Sequence, residues 1–299
     1  MQEPIALLTS VFTAVKRQIA RLTLSFLFSA PFMRRRALAI LSRHYTKGEL
    51  VLRYTMADHS LFLNPQDDVI TPRVLWRGAW QRRDLERAVG LIATHVPSAR
   101  GKLFVDIGAN IGSETIYAML TGFFSGGVAI EAEPRNFALL QENLAVNGLE
   151  SRVAAVCCAV GAKAGKLRLR KTTWNLGGHA IASAADAETG SDTITVDAAT
   201  LPEILATAGS RENDPGLVWI DVNGSELQVL EGMGDMLSRR VPIVIEHLPA
   251  LISADVALAV YRLLSKHYTR YCRIDTEHAE PAPIERMNPL ADSGDFLFF

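Results

Sequence analysis

Residues 103–112 read LFVDIGANIG. An apolar run ends in Asp106, and two glycines, Gly108 and Gly112, follow with Asn110 between them. A short continuous apolar run suits a strand buried on both faces, as in a parallel sheet. The glycines permit a tight turn, and a helix beginning near Gly112 presents free N–H groups with partial positive charge. In open α/β sheets ligands bind at such places, beyond the carboxyl ends of the strands. The stretch therefore reads as a ligand site, and its acid limits which ligand fits.

The same pattern recurs along the chain. Apolar runs at 102–106, 128–131, 152–158, 216–221 and 241–246 alternate with helical patterns at 112–121, 134–147, 224–237 and 253–266. This alternation predicts an α/β fold, a mostly parallel sheet with helices on both faces. Between 157 and 216 lies a longer insertion: KLRLRKT alternates like a strand, WNLGG reads as a loop, and DTITVDAATL as a strand running into a helix. YTRYCRI and DFLFF predict two final strands, and LVLRYT and SLFLN two short ones within 50–80, ahead of a helix over 83–95.

The 299 residues, 48% hydrophobic and 21% charged, suit a globular body with a substantial core. Three cysteines, Cys157, Cys158 and Cys272, form neither a disulfide framework nor a zinc motif, which points to a reducing, cytoplasmic compartment. Residues 1–48 carry eight Lys/Arg against one acid, Glu3, so the remainder is acidic. The expected organisation is a basic, apolar, helical extension over 1–48 and a single domain over 49–299, whose first part, 49–100, leads into the sheet. Lys16, Arg17 and Arg21 interrupt the extension before about 20 apolar residues accumulate, which argues against a spanning helix. Its acidic start argues against a signal peptide. Two readings stay open for it: a helix packed on the body or on a second copy of the chain, or an amphipathic helix making a peripheral membrane contact. Nucleic acid is not an expected partner of an acidic body without a basic, aromatic face.

The second strand, VAIE, ends in Glu131. An acid there is placed to accept both hydroxyls of a ribose, the alternative being a plain surface acid. A dinucleotide site wants GxGxxG, whereas Gly108 and Gly112 stand four apart and Asp106 would repel a pyrophosphate. Asp106 suits a nucleoside ligand with a cationic ammonium group, such as S-adenosylmethionine.

VDIGANIG, IEAEPRNFALLQENLAVNGL, AVGAKAG, ITVDAATL and LVWIDVNGSELQVLEGM occur in this order. Together with FLNPQDDVI and GAWQRRDLERA ahead of them, they resemble the FkbM-type family of S-adenosylmethionine-dependent methyltransferases. The resemblance implies a class I methyltransferase fold: a Rossmann-like, seven-stranded, mostly parallel sheet whose last strand, here DFLFF, is antiparallel. It implies S-adenosyl-L-methionine as cofactor and methylation of a hydroxyl oxygen on a sugar, glycolipid or natural product. Position by position, Asp106, Gly108, Asn110 and Gly112 match the cofactor turn and Glu131 the ribose acid, while Cys158 and Ala159 fall where the family contacts adenine. DVNGSE, Asp221 to Glu226, matches the family's DVEGAE with Asn223 in place of a glutamate, and Ala132–Glu133–Pro134 stands for Pro-Asn-Pro.

Asp221, Glu246 and His247 close strands that open on the same edge as Asp106, and His179 lies in the WNLGGHA loop. These four are the catalytic candidates, because a positioned base that takes an acceptor's hydroxyl proton contributes about 10²–10⁴-fold. The histidines ordinarily titrate near neutrality. The competing assignments are a hydrogen-bonded core histidine, a loop histidine and, for Asp221, a helix cap. Strand-end acids occupy this place in the fold without a metal, and none is expected. Asn223 and the basic extension also keep open a non-catalytic or membrane-associated binding module on the same fold.

Overall fold

The structure, a computed structural model, describes residues 51–172, 174–182, 192–210, 214–278 and 280–299. The described chain begins with a hairpin, β1 (Leu52–Thr55) and β2 (Ser60–Leu63), and two helices, α1 (Ile70–Arg77) and α2 (Arg82–His95). The alternating part follows as β3 (Leu103–Ile107), α3 (Ser113–Leu120), β4 (Gly126–Glu131), α4 (Pro134–Val146) and β5 (Val153–Cys157). The insertion supplies β6 (Ala159–Val160), β7 (Gly165–Arg170), β8 (Ala180–Ile181) and β9 (Thr193–Ala199), which form a separate four-stranded sheet. The chain then returns through α5 (Leu201–Thr207), β10 (Pro215–Ile220), α6 (Glu226–Glu231), β11 (Ile243–His247) and α7 (Ala254–His267), and finishes with β12 (Arg270–Arg273), β13 (Ala282–Pro283) and β14 (Gly294–Phe298).

The main sheet has the order β13-β12-β14-β11-β10-β3-β4-β5. Its centre, β11 to β5, is parallel, and β14 lies antiparallel to both its neighbours. The expected antiparallel last strand is therefore present, wedged between β11 and β12. The eighth strand, beyond the seven expected, is the two-residue β13, whose Pro283 lacks a backbone donor and sits at the sheet edge where that is tolerated.

Strand parity divides the core. Phe104, Ala129, Leu217, Trp219, Val244 and Leu297 face α2, α3 and α4, while Val105, Val128, Val218, Ile243, Ile245 and Phe298 face α5, α6 and α7. Burial on both faces explains why these strands read as unbroken apolar runs. Two local expectations fail. Within 50–80 the chain forms not only strands but also α1, whose Ile70 and Val74 are buried and whose Pro72 stands in the first turn, where its missing N–H leaves no gap. The helix expected over 224–237 is cut to α6 and a short 3-10 turn at Gly234–Met236, with Gly234 at φ 63°.

The hairpin is fastened to α4 by amides. Asn143, fully buried on α4, accepts from the Phe62 N–H and donates to the carbonyls of Phe62 and Ile111, the latter within the glycine turn. Asn147, one helical turn on, accepts from Ser60 N–H and donates to its carbonyl. Among the described residues no helix is long and apolar enough to cross a membrane. The two readings of residues 1–48 lie outside the described residues.

Candidate active site

Four parallel strands, β3, β4, β10 and β11, end at one edge, and their tips are in backbone contact. Gly108 stands at φ +84°, and a Cβ there would fall 1.9 Å from the carbonyl oxygen of Asp221. Only glycine lets the turn after β3 cross so close to the end of β10. Asn110 is also left-handed, at φ 50°, a conformation asparagine tolerates better than most residues. Its N–H donates to Oε2 of Glu131 at 2.8 Å, and the N–H of Glu133 donates to Oε1 at 2.7 Å. Glu131 thus ties the turn to the start of α4, and its oxygens keep lone pairs for a ligand in the cleft it lines. Glu133, where the family has asparagine, caps α4 by accepting the N–H groups of Arg135 and Asn136. Asp106 is buried and accepts the Thr115 hydroxyl. Burial pushes the carboxyls of Asp106 and Glu131 up to about 7.

Two cavities flank this turn. The first, of about 600 Å³, is lined by Ile130, Glu131, Cys158, Ala159, Leu169 and Val229, a mostly apolar slot with Glu131 at its side and Asp221 at its border. The second, of about 950 Å³, is lined by Asp106, Glu114, Glu246, Trp80, Trp219 and Arg73. Gly108, Gly177, Asp221 and Asn223 border both, forming a neck between them. The loop 174–178 roofs the neck. Asn223 Nδ2 donates to the Gly177 carbonyl at 3.0 Å, and Asn136 Nδ2 to the Leu176 carbonyl at 2.7 Å. Leu176 N–H donates to Asp67 at 3.3 Å, and Asp68 N–H to the Trp174 carbonyl at 2.8 Å. The residue that departs from the family's glutamate therefore has a visible task, holding this roof.

Of the seven expected cofactor residues, Asp106, Gly108, Asn110 and Glu131 line the cavities around the turn and Cys158 and Ala159 the slot wall, while Gly112 lines neither cavity and caps the start of α3. Of the four catalytic candidates, two meet at the neck. Asp221 lies within hydrogen-bond reach of Glu246; burial, then the neighbouring Glu246 and Glu226 charges, push Asp221 well above the usual carboxylate range. Burial and then the charge of Asp295 push Glu246 up to about 7. Asp295, its partner across β14, is pushed up to about 8 by burial and the nearby Asp221. So crowded a set of carboxyls shares its protons near neutral pH, and Glu246, at about 7, stays partly ionised.

His247 does not belong to this group. Successive strand residues point to opposite faces, so with Glu246 in the cleft His247 faces α7. It is buried, its Nε2 meets the Pro289 carbonyl at 2.8 Å, and its ring packs on Phe296. It is a core histidine. His179 lines the first cavity, not the neck. Its Nδ1 accepts the Thr172 N–H at 3.1 Å, which leaves the neutral ring's proton on Nε2, and burial lowers its pKa. The ring is thereby a donor to the slot rather than a base. Glu226 accepts the Gly224 N–H at 2.9 Å and so supports the start of α6. Among the described residues no group of three or more His, Cys, Asp and Glu is arranged to hold a metal ion.

The sequence reading missed Glu114, Asp67, Asn143 and Asp295. Glu114 follows Gly112 by two and could have been suspected from its place in the first turn of a helix opening on the site. The other three depend on contacts with residues far away in the chain.

With this geometry in view, the chain can be set beside known proteins. No curated protein matches it significantly. Among solved structures, the FkbM methyltransferase of Methylobacillus flagellatus KT aligns over 67% of this chain and 44% of its own, at 17% identity and a TM-score of 0.43. The chain thus spans less than half the length of that protein. A protein of the NADB-Rossmann superfamily from Streptococcus agalactiae aligns over 71% of this chain and 65% of its own, at 11% identity and a TM-score of 0.37. The C-terminal domain of precorrin-6Y C5,15-methyltransferase from Rhodobacter capsulatus aligns over 70% and 86%, at 20% identity and a TM-score of 0.35. These overlays are too loose to carry an argument. The profile of the methyltransferase FkbM domain, however, matches residues 106–280, more than half of the chain and every strand tip of the site. The chain belongs to the FkbM methyltransferase family.

Proposed function

We propose that this chain transfers a methyl group from S-adenosyl-L-methionine to a hydroxyl oxygen of a sugar, glycolipid or natural product. The observation that carries this reading is the neck at Gly108, Gly177, Asp221 and Asn223, where an apolar slot meets a cavity with an acid floor. The residues fit the cofactor. Glu131 faces a slot with apolar walls, suited to a nucleoside, and the turn offers acids rather than cations, suited to a positively charged ligand and hostile to a pyrophosphate. When bound, S-adenosylmethionine supplies a methyl carbon made electrophilic by its sulfonium.

The chain's own residues do the rest. Glu131 would hold the ribose, Cys158 and Ala159 the base, and Asp106, Asn110 and Glu114 surround the amino-acid end. Trp80 and Trp219, with Asn175 and Arg73, wall the acceptor cavity, and aromatic faces with a few polar groups suit a polyol ring. Alignment of acceptor and donor at the neck supplies much of the rate. The Asp221–Glu246 pair takes the hydroxyl proton onto a carboxylate oxygen. The roof held by Asn223 and Asn136 keeps water from the neck.

The test is transfer of a labelled methyl group to a panel of glycans, glycolipids and hydroxylated natural products. The proposal expects label on an oxygen with wild type and a loss of about 10²–10⁴-fold with Asp221→Asn. Label found only on nitrogen or carbon, or none with any acceptor, would overturn it. The last outcome would favour a binding module on this fold.

A further inference from the structure

We propose that Glu114 is the carboxylate that receives the ammonium group at the amino-acid end of the cofactor, an inference that rests on the cofactor reading above. Glu114 stands in the first turn of α3 and is only 7% exposed. It lines the acceptor-side cavity next to Asp106, Gly108 and Asn110. Its Oε1 is buried without a hydrogen-bond partner. Such an oxygen is expensive to leave unpaired, more so when it can carry charge. The charged groups that act on it most, Asp106, Asp221 and Asp295, are all acids, and they add to burial in raising its pKa.

Asp106, the acid that sequence alone assigns to the ammonium, already accepts the hydroxyl and N–H of Thr115 and is 1% exposed. It positions the start of α3, and Glu114 is the neighbour that still lacks a partner. The missing partner is a donor, and a cationic one suits a surround in which the acids Asp106, Asp221 and Glu246 outnumber the one arginine, Arg73, of the same cavity lining. The location picks the cofactor over the acceptor. Glu114 sits directly after the glycine turn, whose Asn110 N–H is bonded to the ribose acid Glu131, so a nucleoside held at Glu131 directs its amino-acid tail toward α3.

The test compares two probes by titration calorimetry on the full chain. S-adenosylmethionine carries the ammonium; 5′-methylthioadenosine has the same nucleoside and sulfur without the amino-acid end. Glu114→Gln keeps the shape and removes the charge. We expect it to weaken S-adenosylmethionine by about tenfold to a hundredfold, the range for hydrogen bonds to charged groups, and to leave 5′-methylthioadenosine within about twofold. Should Glu114→Gln fail to fold, Glu114→Asp keeps the charge but withdraws it by one methylene, and a smaller loss confined to S-adenosylmethionine is expected. Equal losses for both probes, or no loss for either, would overturn the inference while leaving the cofactor reading standing. A wild-type chain that binds neither probe would remove both.

Discussion

Replacing Gly108 by alanine tests whether the tips of β3 and β10 are built as one structure. Alanine at φ +84° carries a left-handed strain of about 1–2 kcal/mol. Its Cβ would also lie 1.9 Å from the Asp221 carbonyl oxygen and 3.0 Å from its carbon. Those are backbone atoms at the end of a buried strand, so the two tips must separate, and overpacking of this kind costs about 1–3 kcal/mol more. The sum is about 2–5 kcal/mol. At about 2–4 °C per kcal/mol for a domain of this size, the thermal midpoint should fall by roughly 4–20 °C. The control is Gly148→Ala. Gly148 is also left-handed, at φ +65°, but a Cβ there meets nothing within 4 Å. It should cost only the strain, a drop of a few degrees. Differential scanning calorimetry of both variants, followed by titration with S-adenosylmethionine, reads the difference. Gly108→Ala should also lose cofactor affinity, because the displaced tip carries the neck. Equal midpoints for the two variants, with cofactor affinity unchanged, would refute the close crossing on which the site geometry rests.

Other expectations follow from the same contacts. Asp106, Glu131 and Glu246 titrate near 7 and Asp295 near 8 in the folded chain, against about 4 when unfolded. Between those values the folded state holds protons that the unfolded chain has released, so stability contributed by these groups is fully present below about pH 4 and is lost as pH rises to about 8. Ligand-free thermal midpoints should therefore fall from pH 5 to 8, and the gain on adding S-adenosylmethionine, whose positive charge favours the ionised acids, should grow over that range; a rising ligand-free midpoint would contradict this. Asn223→Glu, which installs the family's residue, should release the roof. It loses the 3.0 Å bond to the Gly177 carbonyl, puts a longer side chain at φ 50°, and adds a charge beside Asp221 and Glu226; faster amide exchange at residues 174–178 would show it. Asn143→Ala leaves the Phe62 N–H and the Phe62 and Ile111 carbonyls without their partner, and denaturant unfolding should show a loss of about 2–4 kcal/mol. His247→Ala should lower stability and leave cofactor affinity and turnover within about twofold, as measured by calorimetry and methyl transfer.

The parallel sheet was legible because its strands are buried on both faces and so stand out as apolar runs between helical patterns. The turn was legible because Asp106, Gly108, Asn110, Gly112 and Glu131 are short-range features whose spacing carries the geometry. Strand parity separates Glu246 from His247, yet it could be applied only once the pairing of β11 with β10 and β14 set which face looks into the cleft. Asp67, Asn143 and Asp295 escaped notice for the same reason: each acts on residues distant in sequence, Leu176, Phe62 and Glu246 respectively. α1 escaped because eight residues with a proline give little periodic signal. Asn223 read as a lost glutamate, and only the roof loop shows what it does instead.

The most direct measurement is a crystal structure of the chain with S-adenosylhomocysteine. The account predicts the ribose hydroxyls on Glu131, the base against Cys158 and Ala159, and the sulfur at the neck facing Asp221. A nucleoside bound elsewhere, or one lying in the slot with its ribose away from Glu131, would contradict it.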